Sequence, residues 1–191
     1  MPAPAAVPRL APAEPPFPVA IAEELARIMP PGMAPLTLFT TLARDERLFE
    51  RFMNASLLDR GHLTLRQREI VIDRVTARSG SEYEWGVHVA LFAARAGLGA
   101  AEIAATVTGG AGDPVWSADE KALVAAVDQL HETADIDEAA WQALSAHFGP
   151  EAILEILMLA GFYRMVSYLT NALRLAPEAF AARFPTETHG R

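Results

Sequence analysis

The chain has 191 residues, is 51% hydrophobic, carries a formal net charge of −8 and contains no cysteine. That length and hydrophobic content suit one domain with a full core, while an acidic chain without a basic cluster argues against partners such as nucleic acid or an anionic membrane surface. Without thiols, disulfides, cysteine nucleophiles, cysteine-ligated zinc and iron–sulfur clusters are excluded.

Residues 1–18 hold seven of the fourteen prolines, which predicts an extended arm, either loose or wrapped on a neighbouring subunit. The arm lacks the basic start and apolar run of a signal peptide, and the expected location is the cytoplasm. From Val19 the apolar spacing is helical almost everywhere. "VAIAEELARIM" (19–29) stops at Pro30 and Pro31, and "PLTLFTTLARDERLFERFMNASLL" (35–58) reads as one or two helices with a break near Arg44–Asp45. Thr64 with Gln67 gives a capping-box pattern for the next helix, which Gly80 ends. Ser81 opens a helix that runs to Gly97, and 99–107 forms a short one. The loop "TGGAGDPVW" (108–116) has neither a preceding strand nor a Gly-Lys-Ser/Thr ending, so it is no phosphate cradle. Ser117 with Glu120 repeats the capping pattern for a helix to Thr133; 137–148 and 150–175 complete the set. No stretch alternates in the β manner for more than four residues. The expected fold class is therefore all-α, a multi-helix bundle, with the helical domain at 19–180 and a tail at 181–191. The run 152–163 is interrupted by Glu155, followed by Arg164, and is too short to span a bilayer. The last helix is apolar nearly all round, which predicts a place in the domain centre, a subunit interface, or both, hence a homo-oligomer.

The stretch "SEYEWGVH" (81–88) is the chemically dense one. Ser81, Glu84 and His88 form one helical stripe, and a glutamate four residues before a histidine can hydrogen-bond it, raise its pKa and fix its tautomer. On the preceding helix Glu69 sits among Ile70, Val71, Ile72 and Val75, which favours its burial. The short turn at Gly80 lets Glu69 meet the second helix where Glu84 and His88 lie. Glu69, Glu84 and His88 are thus the candidate catalytic residues, with Ser81, Tyr83 and Trp85 as candidate substrate contacts. Trp85 and Phe92 are candidate pocket walls, although aromatics at such positions commonly serve as core packing. The same residues also allow an ordinary surface Glu–His pair or a metal site of Glu69, Glu84 and His88. His62, His131, His147 and His189 carry no motif, and Asn171 and Tyr163 of the last helix could reach the pocket.

The pattern of Glu69 followed, after eleven residues, by Ser81, Glu84 and His88 resembles the signature of the carboxymuconolactone decarboxylase and alkyl-hydroperoxidase D-like superfamily. So do "LTLRQREIVIDRVTARSGSEYEWGVH", "AGLGAAEIAA", "DEKALVAAVDQL" and "GFYRMVSYLTNALRL". The resemblance spans roughly residues 35–175. It implies an all-helical fold that assembles through its helices, commonly as trimers or hexamers. It aligns Glu69 and His88 with the proton-relay residues of the peroxidase branch, Tyr83 with a histidine often found there, and Ser81 and Glu84 with its two redox cysteines. Neither serine nor glutamate can replace a thiolate attacking a peroxide. The expected activity is a cofactor-independent lyase or isomerase, using Glu–His proton transfer on a small carbonyl or lactone acid. The alternatives are a metal-binding enzyme and a non-catalytic assembly or binding protein with a decayed site.

Overall fold

The structure is a computed structural model that describes residues 7–185. Residues 1–6 of the arm and 186–191 of the tail, His189 among them, lie outside the described residues. Among the described residues the chain forms nine helices and no strand: α1 (Val19–Ile28), α2 (Thr37–Leu42), α3 (Glu46–Asn54), α4 (Leu65–Arg78), α5 (Glu82–Ala96), α6 (Ala100–Thr108), α7 (Ala118–Thr133), α8 (Glu138–Ser145) and α9 (Pro150–Ala172). The fold is all-α, as the periodicity predicts.

The boundaries follow local chemistry. The break at Arg44–Asp45 separates α2 from α3, where the Asp45 carboxylate accepts the Leu48 N–H at 2.9 Å. Thr64 and Gln67 cap α4 reciprocally, at 3.2 and 3.1 Å. Gly80 and Gly97, with φ of 66° and 68°, turn the chain after α4 and α5 in a conformation that costs other residues strain. At α7 Glu120 accepts the Ser117 N–H at 2.9 Å, while the Ser117 hydroxyl donates to Asp119 at 2.5 Å.

The central helix is α4, not the more apolar α9. It packs against α5, α6, α7 and α9, and Glu69, Ile70, Val71, Ile72, Asp73, Arg74, Val75 and Thr76 are all buried. So polar a helix can be enclosed because neighbours answer its charges. Arg74, for example, pairs with both Asp128 oxygens at 2.7 and 2.8 Å and donates to the Thr106 carbonyl at 2.9 Å.

Helix α9 divides into two faces. Ile156, Leu159, Tyr163 and Val166 enter the main core, whereas Leu154, Met158, Met165 and Tyr168 form an exposed apolar stripe. The 23-residue helix is long and apolar enough, by length and composition alone, to cross a bilayer; here it packs against α4, α5 and α8 as a core helix.

Both chain ends lie on the bundle as far as they are described. The Arg9 N–H donates to the Leu173 carbonyl and the Ala13 N–H to that of Thr40, each at 2.9 Å. Phe17 packs with Ile21, Leu25 and Phe49. From residue 7 onward the arm is therefore seated on its own chain rather than loose. After α9 the chain crosses α5: the Ala182 N–H donates to the Gly86 carbonyl at 3.0 Å. A Cβ on Gly86 would lie 2.2 Å from the Ala182 carbonyl oxygen, so the close crossing requires glycine there.

Candidate functional site

Glu69 leaves the middle of α4, and Glu84 and His88 leave the first two turns of α5. The turn at Gly80 folds the two helices together, so that all three side chains meet. His88 Nδ1 lies 2.8 Å from Glu69 Oε2, and His88 Nε2 lies 3.5 Å from Glu84 Oε1. The other Glu69 oxygen accepts from Arg68 Nε at 3.2 Å, and Arg68 Nη1 donates to the Leu58 carbonyl at 2.9 Å. Glu69, Glu84 and His88 are all buried.

Burial alone pushes the His88 pKa down. The opposing charge of Glu69, the hydrogen bond to it, and Glu84 outweigh that effect and raise it to about 10. At neutral pH His88 is therefore an imidazolium between two carboxylates: Nδ1–H donates to Glu69, and Nε2 faces Glu84. The Glu84 Oε2 atom is buried without a hydrogen-bond partner.

Two further buried groups flank this set. Asp73, one turn beyond Glu69 on α4, has no partner for either carboxyl oxygen. Burial pushes its pKa well up, His88 opposes the rise and Glu69 adds to it. The Tyr163 ring stands edge-on to His88, with centroids 5.0 Å apart, and Phe92 lies on another side at 5.2 Å. Burial, then Glu84 and Glu69, push the Tyr163 hydroxyl pKa well up, so it stays protonated.

Glu84, His88 and Tyr163 line a cavity of about 630 Å³. Its walls come largely from the first three helices and the loop after them, including Leu36, Phe39, Phe52, Met53 and Leu57, together with Leu91, Phe92 and Phe162. A separate cavity of about 470 Å³ holds His131 and Arg164 but none of the three central residues.

The other candidates go elsewhere. Ser81 Oγ lies 2.7 Å from Thr170 Oγ1 and accepts the Glu84 N–H at 3.4 Å, so this side chain caps α5 and joins it to α9. The Tyr83 hydroxyl donates to Glu178 at 2.5 Å and accepts the Leu38 N–H at 3.0 Å. Trp85 donates to Thr106 Oγ1 at 3.0 Å and packs on Phe184. Ser81, Tyr83 and Trp85 are thus bound within the protein and absent from the cavity lining. Of the two aromatics expected as walls, Phe92 lines the cavity and Trp85 does not. Asn171 donates to the Ser79 carbonyl at 2.8 Å, at the end of α4. His62 lies in an exposed turn and His147 is exposed on the surface. Asp73 and Arg68 could have been flagged by their spacing from Glu69; beyond Phe92 and Tyr163, nothing in the sequence marks the cavity walls.

Glu69 and Glu84 approach His88 at opposite ring nitrogens rather than converging on one point. Among the described residues no three His, Asp or Glu side chains are arranged to hold a metal ion. The arrangement suits proton movement better than ligation.

The sequence pattern of the Carboxymuconolactone decarboxylase family matches residues 46–129. No curated protein matches the chain. Among solved structures, an uncharacterized peroxidase-related protein from Silicibacter sp. is 17% identical, with a TM-score of 0.77 over 94% of this chain and 99% of that one. An alkylhydroperoxidase AhpD core, an uncharacterized peroxidase-related protein from Ralstonia eutropha, is also 17% identical, with a TM-score of 0.70 over 85% and 87%. The debrominase Bmp8, as a cysteine-to-alanine variant in complex with 2,3,4-tribromopyrrole, is 14% identical, with a TM-score of 0.70 over 92% and 95%. At these identities the likeness is one of fold.

Proposed function

We propose that the chain is a cysteine-free member of the carboxymuconolactone decarboxylase and alkyl-hydroperoxidase D-like superfamily and a cofactor-independent proton-transfer enzyme, an isomerase before a lyase, acting on a small carbonyl compound or lactone and its enol. The observation that supports this reading is the His88 imidazolium held between Glu69 and Glu84, with His88 and Glu84 both lining a cavity.

In the enol-to-ketone direction Glu84 accepts the proton of the enol O–H. The His88 imidazolium delivers its Nε2 proton to the carbon. Glu84 then returns a proton to Nε2 across the 3.5 Å between them. One proton moves from oxygen to carbon, and the protein ends as it began. Glu69 holds Nδ1–H throughout, which fixes the ring orientation. With no thiol in the chain, thiol-dependent peroxide reduction is not available to it.

The test is proton exchange at carbon. An uncharged ketone such as 2-tetralone is placed in D₂O with the protein, and deuterium uptake beside the carbonyl is followed by NMR. The wild type is expected to accelerate uptake, and Glu84→Gln and His88→Gln each to reduce the acceleration by about 10²–10⁴-fold. Uptake no faster than in buffer for a series of ketones and lactones, or acceleration that survives both substitutions, overturns the reading.

A further inference from the structure

We propose that the Tyr163 hydroxyl is the hydrogen-bond donor that receives the carbonyl or enolate oxygen of the substrate, a further catalytic group on the wall that Glu84 and His88 share. This inference rests on the proton-transfer reading and adds to it the residue that holds the reacting oxygen.

Two buried tyrosines lie close to the site, and the protein uses them differently. Tyr83 is 3% exposed, and its hydroxyl is fully employed between Glu178 and the Leu38 N–H. Tyr163 is 2% exposed. Its backbone carbonyl accepts from Ser167 Oγ at 2.8 Å, but among the described residues its hydroxyl has no hydrogen-bond partner. A buried phenol ordinarily finds one, so this hydroxyl is a donor held in reserve.

The hydroxyl is also not sealed inside the protein. The side-chain oxygens that are both unpartnered and closed off from solvent belong to Asp73, Ser79 and Glu84; the Tyr163 oxygen is not one of them and keeps a little surface. Tyr163 lines the cavity at His88, whereas its neighbours Ala160, Gly161 and Arg164 line the separate cavity at His131. The surface therefore opens toward His88. The two rings are immediate neighbours, at 89° with centroids 5.0 Å apart. Phe162 packs on the Tyr163 ring at 5.4 Å, and the side chain belongs to the main core, so the donor is fixed in place before a substrate enters.

A fixed neutral donor suits the chemistry. As a ketone loses a proton from carbon, negative charge gathers on its oxygen, and an O–H already aimed at that oxygen stabilises it. In the opposite direction the enol oxygen gives its proton to Glu84 while it accepts from Tyr163. Tyr163 keeps its own proton throughout, since burial, then Glu84 and Glu69, hold its pKa well up.

Tyr163→Phe removes the hydroxyl alone. Deuterium uptake by 2-tetralone is expected to fall about 10²–10³-fold, mostly in kcat. No hydrogen bond within the protein is lost, so the urea midpoint is expected to stay or rise, the reverse of Tyr83→Phe. A lower midpoint with exchange within twofold of the wild type is what a structural tyrosine gives, and it overturns the proposal. A second measurement needs no variant: infrared difference spectra of carbonyl-labelled ¹³C-2-tetralone bound to the full-length wild-type protein. The carbonyl stretch is expected below that of the ketone in cyclohexane, and Tyr163→Phe is expected to move it back. A bound ketone with the cyclohexane frequency overturns the proposal, as does the absence of ketone binding. If the stretch is lowered through Tyr163 but no deuterium is taken up, the proton-transfer reading fails and the donor stands. If exchange is accelerated equally by wild type and Tyr163→Phe, the donor alone fails.

Discussion

Replacing Glu69 with glutamine removes the carboxylate bonded to His88 Nδ1 and keeps its shape. In the wild type that carboxylate lies 2.8 Å from Nδ1, and His88 is raised from 6.5 to about 10 despite burial. A histidine pKa raised on folding stabilises fully below the unfolded value, and the stabilisation is lost as pH climbs through the folded value. The window therefore runs from about 6.5 to about 10. At about 1.36 kcal/mol per unit the contribution is a few kcal/mol, in line with the ~3–5 kcal/mol typical of breaking a buried pair. Glutamine keeps an oxygen for Nδ1–H, and the imidazole can shed its proton, so the loss falls toward the low end, about 3 kcal/mol near pH 6. Toward pH 10 the wild type itself loses the charge, and the difference shrinks. Urea unfolding across this pH range measures the difference, and NMR titration of the histidine ring protons follows His88. A destabilisation equal at both ends of the window, or a wild-type His88 that titrates near 6.5, would refute the charge bracket.

Two further predictions concern the surroundings. Tyr83→Phe is expected to cost about 1–3 kcal/mol, since the Leu38 N–H and Glu178 each lose a partner, while ketone exchange stays within twofold; a tenfold fall in exchange would return Tyr83 to the site. The exposed stripe of Leu154, Met158, Met165 and Tyr168 on α9 is proposed to face a second copy of the chain. Light scattering is expected to show an oligomer that Met158→Glu dissociates, and a wild-type monomer at micromolar concentration would count against it.

The meeting of Glu69, Glu84 and His88 was legible because it needs only local facts: a four-residue spacing on one helix, a glycine turn, and a carboxylate in an apolar run. The walls were not. Phe39, Phe52 and Met53 carry the ordinary apolar pattern of short amphipathic helices, and only tertiary packing decides which of them border a cavity. The centrality of α4 was hidden for a different reason. Hydrophobicity ranks α9 above it, but Arg74 and Glu69 are buried with charged partners on other elements, Asp128 and His88, and such pairings have no trace in local composition. Ser81 misled because periodicity places it on the Glu84–His88 stripe, whereas a side chain at a helix start folds back onto its own backbone.

The two positions that the resemblance sets against the redox cysteines of the peroxidase branch, Ser81 and Glu84, play different parts here. Ser81 is absorbed into the scaffold: its hydroxyl caps α5 and meets Thr170 of α9, which fixes the start of the helix that carries the site. Glu84 instead keeps one oxygen near His88 and borders the cavity. A thiol pair works by attack and resolution, so both members must reach the substrate or each other. A carboxylate beside an imidazolium needs only one of the two positions to face the cavity, and the other is free to become structural. The asymmetry of Ser81 and Glu84 fits the proton-transfer function proposed for this helix.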